Sequence, residues 1–205
     1  MGGGNAMGMI TAVMAVAAYL LGSISFGLLI GKWFLGIDIR QHGSGNAGAT
    51  NLSRLMGTGP GIVVLLLDGL KGYVPVLLTL YWTGHYASAM LVGLAAIAGH
   101  IWPVYFGFKG GKGVATTIGA MLAMSFWATL VAGLLTLLTI AITRYVSLGS
   151  LLFVFLMPWL LLLFGRGWLV FFLSLLLMVL VFWKHRENIQ RLLQGRENRF
   201  GKRIR

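Results

Sequence analysis

SLGSLLFVFLMPWLLLLFGRGWLVFFLSLLLMVLVFWK, residues 147–184, carries only two charges along its length, Arg166 and Lys184. Two apolar runs, 147–164 and 167–184, flank the break at Gly165-Arg166. Each approaches the roughly 20 apolar residues that an α-helix needs to cross a bilayer. In hydrocarbon a backbone must satisfy its own hydrogen bonds, so such runs are helices rather than loops or open strands. Toward the N-terminus, further apolar runs cover 9–35, 60–81, 87–106, 114–124 and 126–143. The run 114–124 is too short to span alone. It is either a half-helix or the start of one long bent helix reaching Thr143.

Composition points the same way. Of 205 residues, 58% are hydrophobic and 10% charged, against about 25% charged in a soluble domain. That excludes an ordinary cytosolic globule and a disordered chain. There is no cysteine, which excludes disulfides, thiolate nucleophiles, iron–sulfur clusters and Cys-type zinc sites. The acidic residues are Asp38, Asp68, Glu187 and Glu197 alone. Four scattered carboxylates make a magnesium or calcium cage improbable, so neither a metal nor a cofactor is expected.

Lysine and arginine gather in cytoplasmic loops. With seven spans, the N-terminus outside and the C-terminus cytoplasmic, the inner segments hold Arg40, Arg54, Lys109, Lys112, Arg144 and the tail from Lys184 onward. The outer segments then hold only Arg166 and the neutral His85. Six spans would spread the cations over both faces. The expected fold is therefore all-α and polytopic, with seven transmembrane helices, one of them short. MGGGNAMG, residues 1–8, looks like an appended leader rather than native sequence. Residues 9–205 read as a single transmembrane domain with a basic cytoplasmic tail.

The net charge of +12 raises nucleic acid as a partner. Eight of the sixteen cations lie in 184–205, however, beside two of the four acids. Such a juxtamembrane segment is attracted to anionic lipid, and residues 196–205 read that way. With no aromatic-basic surface outside the spans, no nucleic-acid partner is expected; membrane lipid is.

Polar residues that a lipid-facing chain should not carry fall in three segments. The first is Gly43-Ser44-Gly45-Asn46-Ala47-Gly48-Ala49-Thr50-Asn51, with Arg54 beyond. Its G-x-G-x-x-G is no dinucleotide fingerprint, which needs a strand before it; here Asp68, twenty residues on, sits inside an apolar run. A glycine-rich loop alone is a flexible turn. With Ser44, Asn46, Thr50 and Asn51 as donors it becomes an anion cradle, and Arg54 can fork onto phosphate oxygens.

The second segment is Phe108-Lys109-Gly110-Gly111-Lys112-Gly113-Val114-Ala115-Thr116-Thr117. Glycine follows Lys112 where an NTPase loop needs Ser or Thr, and no strand precedes. Open N–H groups at a helix start, with an ammonium beside them, still cradle phosphate. Lys109 is a plain positive-inside residue; Lys112, between Gly111 and Gly113, is the ligand candidate.

The third segment is His185-Arg186-Glu187-Asn188-Ile189-Gln190-Arg191-Leu192. If the last helix continues, His185 and Asn188 share a face and Glu187 pairs with Arg191. Ser147 follows Arg144-Tyr145 at a helix start, where it is a ligand candidate or merely an N-cap. Asp68 and Lys71 form an intramembrane pair, read as a structural clamp rather than a pathway. His100 reads as a satisfied buried histidine. Two phosphate cradles and a His–Asn face, all on the cytoplasmic side, point to phosphate-bearing substrates handled at the membrane surface.

Together, GSGNAGATN, GHIWPVYFGFKGGKGVAT and HRENIQRL resemble the signature blocks of the bacterial acyl-phosphate:glycerol-3-phosphate acyltransferase family, PlsY, over about residues 9–200. The resemblance implies a seven-helix enzyme of the bacterial cytoplasmic (inner) membrane, its active site on the cytoplasmic face. Such an enzyme transfers a fatty acyl group from acyl-phosphate to the 1-hydroxyl of sn-glycerol 3-phosphate. The products are lysophosphatidic acid and inorganic phosphate, in the first acylation of phospholipid synthesis. The partners implied are acyl-phosphate and glycerol 3-phosphate, with neither acyl-CoA nor acyl carrier protein as direct donor. Ser44, Asn46, Thr50 and the loop Gly110, Gly111 and Gly113 are similar to the family's acyl-phosphate contacts. Arg54, Lys112, Ser147, His185 and Asn188 match positions gripping glycerol 3-phosphate and the reacting groups, with Lys112, His185 and Asn188 as the catalytic set. Either His185 or the substrate's own phosphate takes the proton.

The residues agree with an acyl-phosphate donor in one respect. Soluble-type glycerolipid acyltransferases use a His-x-x-x-x-Asp pair. Five residues after His42, His85, His100 and His185 stand Ala47, Met90, Tyr105 and Gln190. The reading from another class is a transporter of a phosphorylated metabolite. Transporters place sites near the bilayer midplane, often in repeated halves, and no internal repeat is visible.

Overall fold

A computed structural model describes residues 2–200, all of whose regular structure is helical. Ten α-helices follow in chain order: α1 (Gly2–Gly22), α2 (Phe26–Leu35), α3 (Ala49–Met56), α4 (Thr58–Thr83), α5 (Tyr86–Ile101), α6 (Val114–Met124), α7 (Phe126–Thr143), α8 (Val146–Leu163), α9 (Trp168–Lys184) and α10 (Arg186–Leu193). Among the described residues, five stretches are long and apolar enough to cross a membrane: Gly4–Leu35, Thr58–Thr83, Tyr86–Phe106, Phe126–Thr143 and Val146–Leu163. Counting the pair α9 and α10, bent by 63°, as one span makes six. The helix Val114–Met124 is apolar but short.

Three findings concern helix ends; two depart from the sequence reading, and the one at Val114 selects its half-helix alternative. The run 9–35 is two helices, broken at Ser23-Ile24-Ser25, where Ser25 turns extended with φ −93° and ψ 94°. Hydropathy cannot register that break, because both sides are equally apolar. The helix from Val114 stops at Met124, and Ser125 is extended (φ −163°, ψ 103°), so no continuous helix reaches Thr143. The last helix does not continue through His185 either: α9 ends before it and α10 starts after it.

The chain divides into two compact units, one running to Met124 and the other starting at Ser125. In the first, α4 packs on α6, α5 and α3, and α1 packs on α5 and α4. Lipid offers no hydrophobic drive to pair helices, so close contact relies on small residues. A Cβ on Gly72 would strike the Thr116 carbonyl, and one on Gly119 the Gly69 carbonyl. The α4–α6 backbones thus meet directly. Polar side chains within the spans bond back onto their own helix, as Thr79 does to the Pro75 carbonyl at 2.8 Å.

In the second unit α8 lies against both α7 and α9, and α10 touches α8 and α9. Phe153, Val154, Met157 and Leu161 of α8 are buried with Val170, Leu177 and Val181 of α9. Leu134, Leu137, Leu169 and Leu176 are exposed. A helix apolar all round is one that meets lipid on its outer side.

Candidate active site

The first unit builds its two glycine segments on one scaffold. Leu28 of α2, Ile39, Ala47, Leu52 of α3 and Val64 of α4 form a buried cluster beneath residues 43–51. Gly43 (φ +62°) and Gly45 (φ +72°) adopt left-handed conformations, which let the chain turn sharply above it. Asn51 then fixes the turn. Its Oδ1 accepts from the Ser44 N–H at 2.8 Å, and its Nδ2 donates to the carbonyls of Ile39 (2.9 Å) and His42 (3.0 Å). The sequence reading made Asn51 a donor to the anion; its fully buried amide instead shapes the loop. Ser44 is exposed and joins those bonds only through its backbone N–H, while Asn46 and Thr50 are half-buried. Arg54 lies half-buried in the last turn of α3.

The second segment starts where α5 ends. Gly110 and Gly111 donate their N–H groups back to the carbonyls of Ile101 (3.2 Å) and His100 (3.1 Å). Gly113 (φ +82°) then turns the chain into α6, whose first intrahelical bond is Thr117 N–H to the Gly113 carbonyl at 2.8 Å. The N–H groups before Thr117 form the unbonded first turn that any α-helix has. Lys112 is half-buried at this mouth, whereas Lys109 is exposed.

Arg40, which the sequence reading counted only as a loop cation, joins the two segments. Its Nε and Nη2 donate to Asp38 at 3.0 and 2.6 Å, and its Nη1 donates to the carbonyls of Phe106 (3.1 Å) and Lys109 (2.9 Å). One guanidinium thus ties the turn before Gly43 to the turn before Gly110. The Arg40 side-chain hydrogen bond holds the Asp38 carboxyl below its usual range.

In the second unit, His185 (3% exposed) occupies the α9–α10 bend, where its Nδ1 lies 2.8 Å from the Val181 carbonyl. A carbonyl only accepts, so Nδ1 carries a hydrogen; in the neutral form of the ring the lone pair is then on Nε2. Ser147 is no N-cap: that position is Tyr145, and the Ser147 hydroxyl donates to Glu197 Oε1 at 3.1 Å. Asn188 donates to the same oxygen at 2.7 Å, while Arg191 Nε donates to Oε2 at 2.8 Å. Glu197 is buried. The expected Glu187–Arg191 pair is looser, at 4.0 Å with Glu187 exposed.

Glu197 was missed in the sequence because it lies in the tail read as a lipid-attracted segment. The described part of that tail, residues 196–200, folds back: Phe200 N–H donates to the Arg144 carbonyl at 2.7 Å, and Arg199 lies over the Tyr145 ring; residues 201–205 lie outside the described residues. One signal was available, since Glu197 is the single carboxylate among the five cations of residues 196–205. Ser147 and Asn188 are therefore brought together, as are the two glycine segments within the first unit.

Long apolar helices joined by short glycine-built turns that carry cations define an integral membrane protein. Residues 12–195 match the family model described as glycerol-3-phosphate acyltransferase. The chain belongs to that family. A glycerol-3-phosphate acyltransferase of Halalkalibacterium halodurans is 49% identical, with 93% of this chain and 95% of the relative covered. One of Shouchella clausii is 52% identical, covering 90% and 93%. Among solved structures, PlsY, an integral membrane glycerol 3-phosphate acyltransferase, in its glycerol 3-phosphate form superposes with a TM-score of 0.89 at 43% identity, over 93% of this chain and 96% of that one. Its lysophosphatidic acid form gives 0.86 at 42% identity, over 93% and 95%.

Proposed function

We propose that this protein acylates the 1-hydroxyl of sn-glycerol 3-phosphate from an acyl-phosphate, releasing lysophosphatidic acid and inorganic phosphate. One observation carries most of the weight. The chain is more than 40% identical to one enzyme solved with glycerol 3-phosphate and with lysophosphatidic acid, and those two molecules differ by the acyl group. Chemistry supports the proposed donor. With no cysteine and no His-x-x-x-x-Asp pair, a donor already carrying a good leaving group is the one these residues can use.

In the step proposed, the 1-hydroxyl oxygen attacks the acyl carbonyl carbon and the carbon–oxygen bond to phosphate breaks. The hydroxyl proton passes to His185 Nε2 or to a phosphate oxygen. Lys112 and the N–H groups opening α6 stabilise the oxyanion and the departing phosphate. Ser44, Asn46, Thr50 and Gly113 hold the acyl-phosphate, while Gly110 and Gly111, whose N–H groups are bonded to the Ile101 and His100 carbonyls, shape the loop around it; Arg54, Ser147 and Asn188 hold glycerol 3-phosphate. Positioning two reactants in this way can remove about 7–11 kcal/mol of barrier.

The topology proposed has seven spans: the five long ones, α9, and the short α6. The N-terminus is outside, and the glycine segments and His185 are on the cytoplasmic face of a bacterial inner membrane. The supporting fact is the distribution of lysine and arginine. Detergent-purified protein given palmitoyl-phosphate and glycerol 3-phosphate should release phosphate and form a monoacyl product in equal amounts. Turnover with palmitoyl-CoA and none with palmitoyl-phosphate would overturn the donor assignment.

A further inference from the structure

Asp68 and Lys71 stand one turn apart on α4, each buried, with Lys71 Nζ 2.8 Å from Asp68 Oδ1. Lys71 also donates to the Ile24 carbonyl at 2.7 Å. An ion pair inside apolar helices is costly to desolvate and is kept where it fixes something. His100, 3% exposed in the last turn of α5, presents Nδ1 to Asp68 Oδ1 at 3.7 Å. Its opposite edge faces the second glycine segment. A Cβ built on Gly111 would fall on His100 Nε2 and lie 3.1 Å from Cδ2 and Cε1. One on Gly110 would fall on the His100 carbonyl, and that carbonyl accepts the Gly111 N–H at 3.1 Å.

We infer that His100 is a positioning residue: set against the Asp68–Lys71 pair, its ring is the seat on which the Gly110-Gly111-Lys112-Gly113 loop rests, and so it sets the place of Lys112. The glycines are then required by contact as well as by backbone conformation, because any side chain at Gly111 displaces the ring or the loop. A metal site is not the alternative, since among the described residues no three His, Asp or Glu gather. Direct proton transfer is not the alternative either: the ring edges are taken up by α4 and by the loop backbone. This inference rests on the function proposed above, in which the loop holds the acyl-phosphate.

The test compares wild type, His100→Ala, Gly111→Ala and the double variant. A misplacement of about 1 Å can cost about 10²-fold in rate. His100→Ala should therefore lower kcat/KM for palmitoyl-phosphate by roughly 10- to 100-fold, leaving the KM for glycerol 3-phosphate nearly unchanged. Gly111→Ala should be worse. Removing the ring makes room for the new methyl, so the double variant should be more active than Gly111→Ala alone. Deficits that simply multiply would overturn the inference.

Hydrogen exchange of peptides covering 106–116 gives a readout independent of activity. His100→Ala keeps the carbonyl that Gly111 bonds, so faster exchange there, with α4 unchanged, reports loss of the seat; unchanged exchange refutes it. His100→Asn, which retains an edge toward Asp68 and loses the edge toward Gly111, should behave likewise and covers the case of a poorly folded alanine variant. A wild-type enzyme inert toward palmitoyl-phosphate would reject the proposed donor, while the exchange result would still decide the role of His100.

Discussion

Asn188 donates its side-chain amide hydrogen to Glu197 at 2.7 Å, nine residues further along the chain. That contact fixes which end of the amide is the donor, and it holds α10 to the returning tail. Because Ser147 bonds to the same Glu197 oxygen, one carboxylate orients two residues assigned here to glycerol 3-phosphate. Removing one member of a buried charged network typically costs about 3–5 kcal/mol. Glu197→Ala should melt well below wild type and lose roughly 10- to 100-fold in kcat/KM for glycerol 3-phosphate. Glu197→Gln should fall between, because its amide oxygen still serves Ser147 and Asn188 while its NH2 faces the Arg191 donor. An alanine variant as stable and active as wild type would mean that the tail contact is dispensable.

The Arg40 clamp predicts a pH signature. The folded chain holds Asp38 below its ordinary value of 3.8, chiefly through the Arg40 side-chain hydrogen bond. A depressed carboxylate adds stability above its unfolded pKa, and that increment is lost as pH falls through the lower folded value. Melting temperatures of wild type and Asp38→Asn should therefore differ by a constant amount from neutral pH down to about pH 4, and converge below. A gap that closes above pH 5 would show that another group is responsible.

The helices were legible in the sequence because lipid forces a long apolar run to satisfy its own backbone, and α7, α8 and α9 end within a residue or so of the apolar boundaries. The break at Ser23–Ser25 was not, since two serines inside an apolar run do not alter its hydropathy. The turns of both glycine segments were legible from glycine spacing, but the residues shaping them were not. Asn51, Arg40 and His100 act through contacts 7 to 69 positions away, and sequence adjacency gives no sign of them. Glu197 was masked by its basic surroundings, and the turn at His185 by a helical pattern that runs through it unbroken.

The seven-span topology is open to direct labelling, because the chain has no cysteine of its own. Single cysteines at Thr58 and Gln194 should react from the cytoplasmic side of intact cells, and one at His85 from outside. His85 is preferable to the neighbouring Gly84, whose φ of +67° strains any side chain. Thr58, Gln194 and His85 are all exposed. Labelling of His85 and Gln194 from the same side would reject the topology.

Arg54 is assigned as the clamp for glycerol 3-phosphate. A guanidinium grips phosphate through two parallel N–H bonds, and an ammonium cannot reproduce that fork. Arg54→Lys should raise the KM for glycerol 3-phosphate by about tenfold, equivalent to ~1.4 kcal/mol, with the KM for acyl-phosphate nearly unchanged. If the variant instead weakens only the acyl-phosphate, the two anion cradles are assigned the wrong way round.

His185 carries the sharpest division between chemistry and structure. Its Nδ1–H is committed to the Val181 carbonyl at 2.8 Å, so the ring is held in one tautomer with the lone pair on Nε2. In the step proposed, the Nε2 lone pair of that neutral tautomer takes the proton of the attacking hydroxyl. A general base contributes about 10²–10⁴ in rate. His185→Ala should therefore lower kcat within that range while leaving both KM values within about threefold, since uniform binding is untouched. The ring is buried, so some stability will go with it; kcat must be measured well below the melting temperature of the variant. If the folded variant keeps most of its kcat, the substrate's own phosphate accepts the proton, and His185 serves only to pin the α9–α10 bend.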